Sequence, residues 1–94
     1  MTFKSILEQD VLHQHLSRET YKALYNAIRY RMLYCDYYSS VKQLKAKDFE
    51  ITYDEKCDCF FMHITGFSFH YINLKYIPGI KTNCLSKEKK EKYY

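Results

Sequence analysis

The spacing of the apolar residues changes from helical to strand-like near residue 48, and this change limits the possible folds more than any other feature. Up to about residue 38, apolar residues recur every three or four positions, as in an amphipathic helix. Residues 49–77 instead alternate between apolar and polar, as in half-buried strands. The pattern predicts an α+β fold: two N-terminal helices followed by a three-stranded antiparallel β-meander, with a single layer of helix on sheet. We expect one domain over residues 1–85 and a charged, flexible tail over residues 86–94.

The first helix is predicted from Thr2 to about Leu16. Thr2 is a suitable N-cap, and Ser5 is an alternative because Ser5 and Glu8 have capping-box spacing. The apolar positions of this helix recur every four residues: Phe3, Leu7 and Val11.

The second helix has the clearest local pattern in the chain. Ser17 is a favourable N-cap, and Glu19 places a negative charge in the first turn, where the helix dipole stabilises it. We expect the helix to end near residues 38–40 and a short further turn to follow over residues 41–47. The stripe predicted to pack in the core consists of Tyr21, Leu24, Tyr25, Ile28, Met32 and Cys35. A second aromatic row lies on a different face: Tyr30, Tyr34, Tyr37 and Tyr38.

Strand alternation assigns the sheet side chains to two faces. A two-residue turn at Glu55-Lys56 would join the first two strands, and a turn near Gly66 would place His63 opposite His70. A three-residue loop at the second turn would reverse the faces of the third strand. The face expected to pack on the long helix carries Phe49, Ile51, Tyr53, Phe60, Met62, Ile64, Phe67, Phe69 and Tyr71. The second face carries Glu50, Thr52, Cys57, Cys59, Phe61, His63, His70, Ile72 and Leu74.

These assignments leave more apolar surface than one helix and one sheet can hide from each other. Exposed apolar patches mark surfaces that bind a partner, although the N-terminal helix covering the second face is the alternative. Small chains without motifs, like this one, are common among the inhibitors of phages and mobile elements, including anti-CRISPR and anti-restriction proteins. We expect a non-enzymatic module that binds and blocks a host protein, or a homodimer formed through the second face or an edge strand. The predicted partner-binding residues are Tyr30, Tyr34, Tyr37, Tyr38, Phe61, Ile72 and Leu74.

The charge distribution keeps nucleic-acid binding open as the alternative function. The net charge is +4, but residues 48–60 have a net charge of −4 and interrupt the basic segments on either side. Tyr21 and Tyr25 interleave with Arg18 and Lys22 and could stack on bases, although their place in the apolar stripe favours core packing. The residues predicted for this alternative, besides the tyrosines of the long helix, are Arg29, Arg31, Lys87, Lys89 and Lys90.

The cysteines and histidines of the sheet are the candidate metal ligands. The predicted second face brings together Cys57, Cys59, His63 and His70. A Cys-x-Cys pair does not have the spacing of a zinc knuckle, and Phe61 projects between Cys59 and His63. We therefore expect no metal, no other cofactor and no catalysis, since no motif of a nucleophile or an oxyanion site is present either.

The segments that would direct a chain to a membrane are missing from the pattern. No run of about 18 apolar residues is present, and acidic Glu8 and Asp10 stand where a signal peptide needs its apolar stretch. We expect a cytoplasmic protein of the producing or host cell, with reduced cysteines.

Overall fold

The computed structural model describes residues 2–32, 41–64 and 71–85. It contains helices and a three-stranded antiparallel sheet, which confirms the α+β class. Helix α1 is Phe3–Ile6 and continues as a π-helical turn, Leu7–Val11. Helix α2 is Arg18–Met32. Two 3₁₀ turns, Val41–Gln43 and Ala46–Asp48, precede the sheet, whose strands are β1 (Phe49–Asp54), β2 (Cys59–Ile64) and β3 (Tyr71–Asn73).

The N-terminal helical segment begins at the predicted cap but is shorter than predicted. The Thr2 side chain accepts a hydrogen bond from the Ser5 backbone N–H at 3.1 Å, so Thr2 is the N-cap. The prediction of a helix to Leu16 is wrong, because the helical turns end at Val11. Glu8 is not part of a capping box: its carboxylate instead accepts a hydrogen bond from the Leu16 backbone N–H at 2.7 Å.

Helix α2 begins where the sequence predicts. The Ser17 hydroxyl accepts a hydrogen bond from the Thr20 backbone N–H at 3.2 Å, as an N-cap does. The Thr20 hydroxyl in turn donates to the Pro78 carbonyl oxygen at 2.7 Å and ties this end of the helix to the C-terminal segment. The predicted end of the helix lies in residues 33–40, outside the described residues.

The β1–β2 hairpin has a longer turn than predicted. Asp54 pairs with Cys59, so the turn holds residues 55–58 rather than Glu55-Lys56 alone. Asp58 has a φ of +51°, and its carboxylate accepts a hydrogen bond from the Tyr53 hydroxyl. The register moves by an even number of residues, so the predicted faces of β1 and β2 are preserved.

The predicted faces of the third strand are wrong. Met62 pairs with Ile72 and His63 pairs with Tyr71, not with His70. An odd number of residues separates His63 from Tyr71, and this reverses the face of every side chain in β3. Ile72 and Leu74 are therefore core residues, 2% and 0% exposed, whereas Tyr71 is 43% exposed.

The core lies between the inner face of the sheet and the helical segments. The N-terminal segment contributes its apolar residues to this core, where Phe3 contacts Phe49, so the alternative that it covers the second face is wrong. The fully buried side chains are Leu7, Leu12, Leu16, Leu24, Ile28, Leu44, Ile51, Met62, Ile64, Ile72 and Leu74.

Candidate functional site

The candidate site is the sheet face that points away from the core. We call it the outer face and define it by its residues on the three strands: Glu50, Thr52, Phe61, His63, Tyr71 and Asn73. These side chains form two rows across the sheet. One row is Glu50, His63 and Tyr71, and the other is Thr52, Phe61 and Asn73.

Three rings pack together on the outer face. His63 stacks on Tyr71 with ring centroids 4.8 Å apart and an interplanar angle of 24°. Phe61 meets Tyr71 edge-on, with centroids 6.2 Å apart and an angle of 88°. Phe61 and His63 are half-buried and Tyr71 is exposed. The rings therefore support one another while leaving aromatic surface available to a ligand.

Arg31 connects helix α2 to the strand that carries Tyr71. Its Nε donates to the Tyr71 carbonyl oxygen at 3.0 Å, and a terminal guanidinium nitrogen donates to the Ala27 carbonyl oxygen at 3.1 Å. Hydrogen bonds from a charged donor are stronger than neutral ones, so this contact fixes the backbone at the edge of the outer face.

Carboxylates border the rings on the β1 side. Glu50 Oε2 lies 3.5 Å from His63 Nδ1. That nitrogen is buried and makes no hydrogen bond within the described ranges, so Tyr71 stacking and the Glu50 charge position the imidazole. An open groove of about 490 Å³ runs along this border, lined by Thr52, Asp54, Lys56, Phe61 and Tyr71.

The predicted cysteine pair is divided between the turn and the strand. Cys57 lies in the turn and is exposed, whereas Cys59 begins β2 and is buried. The Cys59 thiol donates to the Cys57 carbonyl oxygen at 3.0 Å. A side-chain hydrogen bond with Cys59 raises the pKa of the Cys57 thiol to about 11. A protonated thiol is a poor metal ligand and a poor nucleophile.

The described residues contain no cluster of three or more His, Cys, Asp or Glu side chains that could hold a metal ion. His63 lies on the outer face of β2, but Cys57 lies in the turn before this strand, so the prediction that both share one strand face is wrong. His70 lies outside the described residues.

The predicted partner-binding residues fall into three groups. Phe61 is on the outer face and Tyr30 on helix α2 is 61% exposed. Ile72 and Leu74 are in the core, so their placement on a binding face is wrong. Tyr34, Tyr37 and Tyr38 lie outside the described residues.

The residues predicted for nucleic-acid binding are also divided. Arg29 is exposed on helix α2, whereas Arg31 is half-buried and its guanidinium is engaged with backbone oxygens. Lys87, Lys89 and Lys90 lie outside the described residues.

The sequence interpretation missed Tyr71 as a surface residue. Asn73 was the available indication: its side chain accepts a hydrogen bond from the Lys75 backbone N–H at 3.0 Å and starts the 3₁₀ turn Leu74–Tyr76. Asparagine is a favoured cap, so it indicates that the strand ends well before Pro78.

Comparison of the chain with protein families, curated proteins and solved structures gives no match. Within the ranges that the structure describes, no helix is long and apolar enough to cross a bilayer.

Proposed function

We propose that this chain is a non-enzymatic protein-binding module that docks its partner on the outer face of the sheet. The observation that supports this function best is the ring cluster of Phe61, His63 and Tyr71, which lies on the face opposite the core. Aromatic side chains are enriched at protein interfaces because each gives a large, rigid contact area. The rings already pack on one another, so little side-chain entropy is lost when a partner covers them.

The charges around the rings indicate the chemistry of the partner. Glu50 lies on the outer face, and Asp54 and Lys56 both line the groove, so the carboxylates beside the rings outnumber the one cation there. Negative potential of this kind repels phosphate and attracts cations. We infer a partner surface with at least one arginine, whose guanidinium can lie on the Tyr71 ring and pair with a carboxylate of β1.

A small module of this type acts by covering a surface that its partner needs. Inhibition of a host protein by occlusion, as in anti-CRISPR and anti-restriction proteins, is the role that we propose for it. Such a role requires only a stable scaffold and one complementary face.

The test compares the wild-type chain with two variants. Phe61→Asp places a charge in the middle of the ring cluster, and Tyr76→Asp is the matched control on an aromatic that is 76% exposed in the turn after β3. Each tagged protein is used for affinity capture from the producing or host cell. A captured protein is then purified, and its dissociation constant for each variant is measured by calorimetry.

We expect wild type and Tyr76→Asp to bind one partner with similar affinity, and Phe61→Asp to bind it at least about 30-fold more weakly, as the loss of an interface hot spot implies. All three proteins should retain their thermal transitions. Equal binding by Phe61→Asp would overturn the proposal. A self-associating wild type that becomes monomeric in Phe61→Asp would also overturn it, because the occupant would then be a second copy.

A further inference from the structure

A second groove, of about 330 Å³, lies along helix α2 and combines aromatic and cationic side chains. It is lined by Arg18, Tyr21, Lys22 and Tyr25. The groove on the outer face is lined by one carboxylate, Asp54, and one cation, Lys56, whereas every charged residue that lines the groove along helix α2 is positive. The groove along helix α2 therefore suits an anionic ligand.

The two tyrosine rings are held in place from below. Both are half-buried and pack against the core. Tyr25 meets Phe3 edge-on, with centroids 6.0 Å apart, and Tyr21 lies 5.9 Å from Tyr25. Burial and the neighbouring Tyr25 raise the pKa of the Tyr21 hydroxyl, so Tyr21 remains a neutral hydrogen-bond donor. The sequence left open whether Tyr21 and Tyr25 pack in the core or contact a ligand. In the structure, each ring packs on the core with one part and remains exposed with another, so the two functions are compatible.

The positive charges follow the groove along the helix. Arg18, Lys22 and Arg29 are exposed, and their spacing places them with Tyr25 on one stripe of helix α2. At 1.5 Å per residue, the stripe from Arg18 to Arg29 is about 16 Å long. Glu19 is the acidic residue of the first turn and lies about 100° around the helix from Arg18. The stripe therefore presents several phosphate-binding side chains in a row.

The source of this positive charge is the side chains and not the start of the helix. As the N-cap, the Ser17 hydroxyl already accepts a hydrogen bond from the Thr20 backbone N–H. Arg31 contributes little, because its guanidinium donates to the carbonyl oxygens of Ala27 and Tyr71.

We propose that the groove of Arg18, Tyr21, Lys22 and Tyr25 binds single-stranded nucleic acid. Rings anchored on one side and open on the other are platforms on which unpaired bases stack, and flanking cations pair with the phosphates. A duplex hides the faces of its bases, so this arrangement favours a single strand. The site is independent of the outer face and of the protein partner proposed for it.

The test measures the binding of a short fluorescein-labelled oligo-dT by anisotropy at several salt concentrations. The first variant, Arg18→Ala with Lys22→Ala, removes two charges from the groove. Its control, Lys75→Ala with Lys81→Ala, removes two exposed charges elsewhere and gives the same net charge. The third variant, Tyr25→Leu, keeps an apolar side chain against Phe3 but removes the stacking ring.

We expect the groove variant to reduce the slope of log Kd against log salt by about 1.4, since each phosphate contact on a single strand contributes about 0.7. Tyr25→Leu should weaken binding at least about 5-fold, as the loss of one base-stacking contact implies. The control should keep the wild-type slope, and a labelled duplex should bind more weakly than oligo-dT.

Three results would overturn the proposal: wild type that does not bind oligo-dT at low salt, equal losses in the groove variant and its control, or unchanged binding by Tyr25→Leu. Phe61→Asp separates the two proposed sites, because it should lose the protein partner and retain oligo-dT. If the proposal for one site is refuted, the proposal for the other can still be tested.

Discussion

The face reversal in β3 makes a quantitative prediction about two adjacent residues. Ile72 is 2% exposed and pairs with Met62 in the core, whereas Tyr71 is 43% exposed on the outer face. Truncation to alanine should therefore be costly at Ile72 and mild at Tyr71. The register with His63 opposite His70 predicts the reverse order.

The magnitudes follow from burial. Ile72→Ala removes a buried side chain and leaves a cavity, which costs about 3 kcal/mol within the usual range of about 2–5 kcal/mol. Tyr71→Ala loses two partly exposed ring contacts, each at the low end of about 0.5–1.5 kcal/mol, or about 1 kcal/mol together. A chain of this length has a total stability of about 5–14 kcal/mol, so both variants should fold.

Thermal unfolding followed by circular dichroism measures the difference. One kcal/mol lowers the Tm of a domain of this size by about 4–8 °C. Ile72→Ala should thus lower the Tm by about 12–24 °C and Tyr71→Ala by about 4–8 °C. Equal shifts, or a larger shift for Tyr71→Ala, would refute the described register of β3.

Three further predictions concern the C-terminal segment and the turn. Thr20→Val removes the hydroxyl that donates to the Pro78 carbonyl oxygen and should cost about 1–3 kcal/mol in urea unfolding; an unchanged midpoint would contradict this contact. Gly79→Ala should cost about 1–3 kcal/mol by the same assay, because Gly79 has a φ of +86° and an added Cβ would collide with the Thr20 hydroxyl; a stabilised variant would contradict this strain. The alkylation rate of Cys57, followed by peptide mass spectrometry, should rise with pH and reach its midpoint near pH 11, because only the thiolate reacts. This midpoint should fall to a lower pH in Cys59→Ala, which lacks the thiol that hydrogen-bonds to Cys57. An unchanged midpoint in Cys59→Ala would contradict the role of that hydrogen bond.

Local patterns in the sequence were sufficient to predict the start of helix α2 and the inner face of β1. Ser17 has the chemistry of an N-cap whatever lies elsewhere in the fold, and its hydroxyl accepts the predicted type of bond. The alternation of Phe49, Ile51 and Tyr53 likewise needs only a sheet with one buried side. Such predictions depend on neighbours a few residues away.

The faces of strand β3, in contrast, depend on the length of the loop before it. The faces of β1 and β2 were predicted correctly although the predicted turn was too short. Asp54 pairs with Cys59 instead of Cys57, and a shift of two residues leaves every side chain on the same face. Before β3 the predicted register was wrong by one residue, since His63 pairs with Tyr71 instead of His70. A shift of one residue reverses the faces, so Ile72 lies in the core and Tyr71 on the surface. Alternation gives the period of a strand, but the loop before it determines which face is buried.

No local pattern in the sequence predicts the contacts between distant segments. The Gln14 amide donates to the Lys81 carbonyl oxygen at 2.9 Å and accepts from the Lys81 backbone N–H at 2.8 Å. Arg31 bonds to the Tyr71 carbonyl oxygen, 40 residues away in the sequence. A glutamine or an arginine that bonds to a distant segment occupies the same kind of position in a helical pattern as one that faces solvent. The sequence pattern therefore does not distinguish the two, and only the fold reveals these bonds. This is why Arg31 was predicted for nucleic acid and instead supports the outer face.

The most direct test of partner binding on the outer face is a map of the partner's footprint on this chain. Backbone amide spectra of the labelled protein would be recorded by nuclear magnetic resonance, free and with the purified partner. We predict that the largest chemical-shift changes fall on the amides of Thr52, Phe61, His63 and Tyr71, and that the amides of Arg18 and Lys22 do not shift. Changes that cluster on helix α2 while the outer face stays unperturbed would contradict the claim that this face binds the partner.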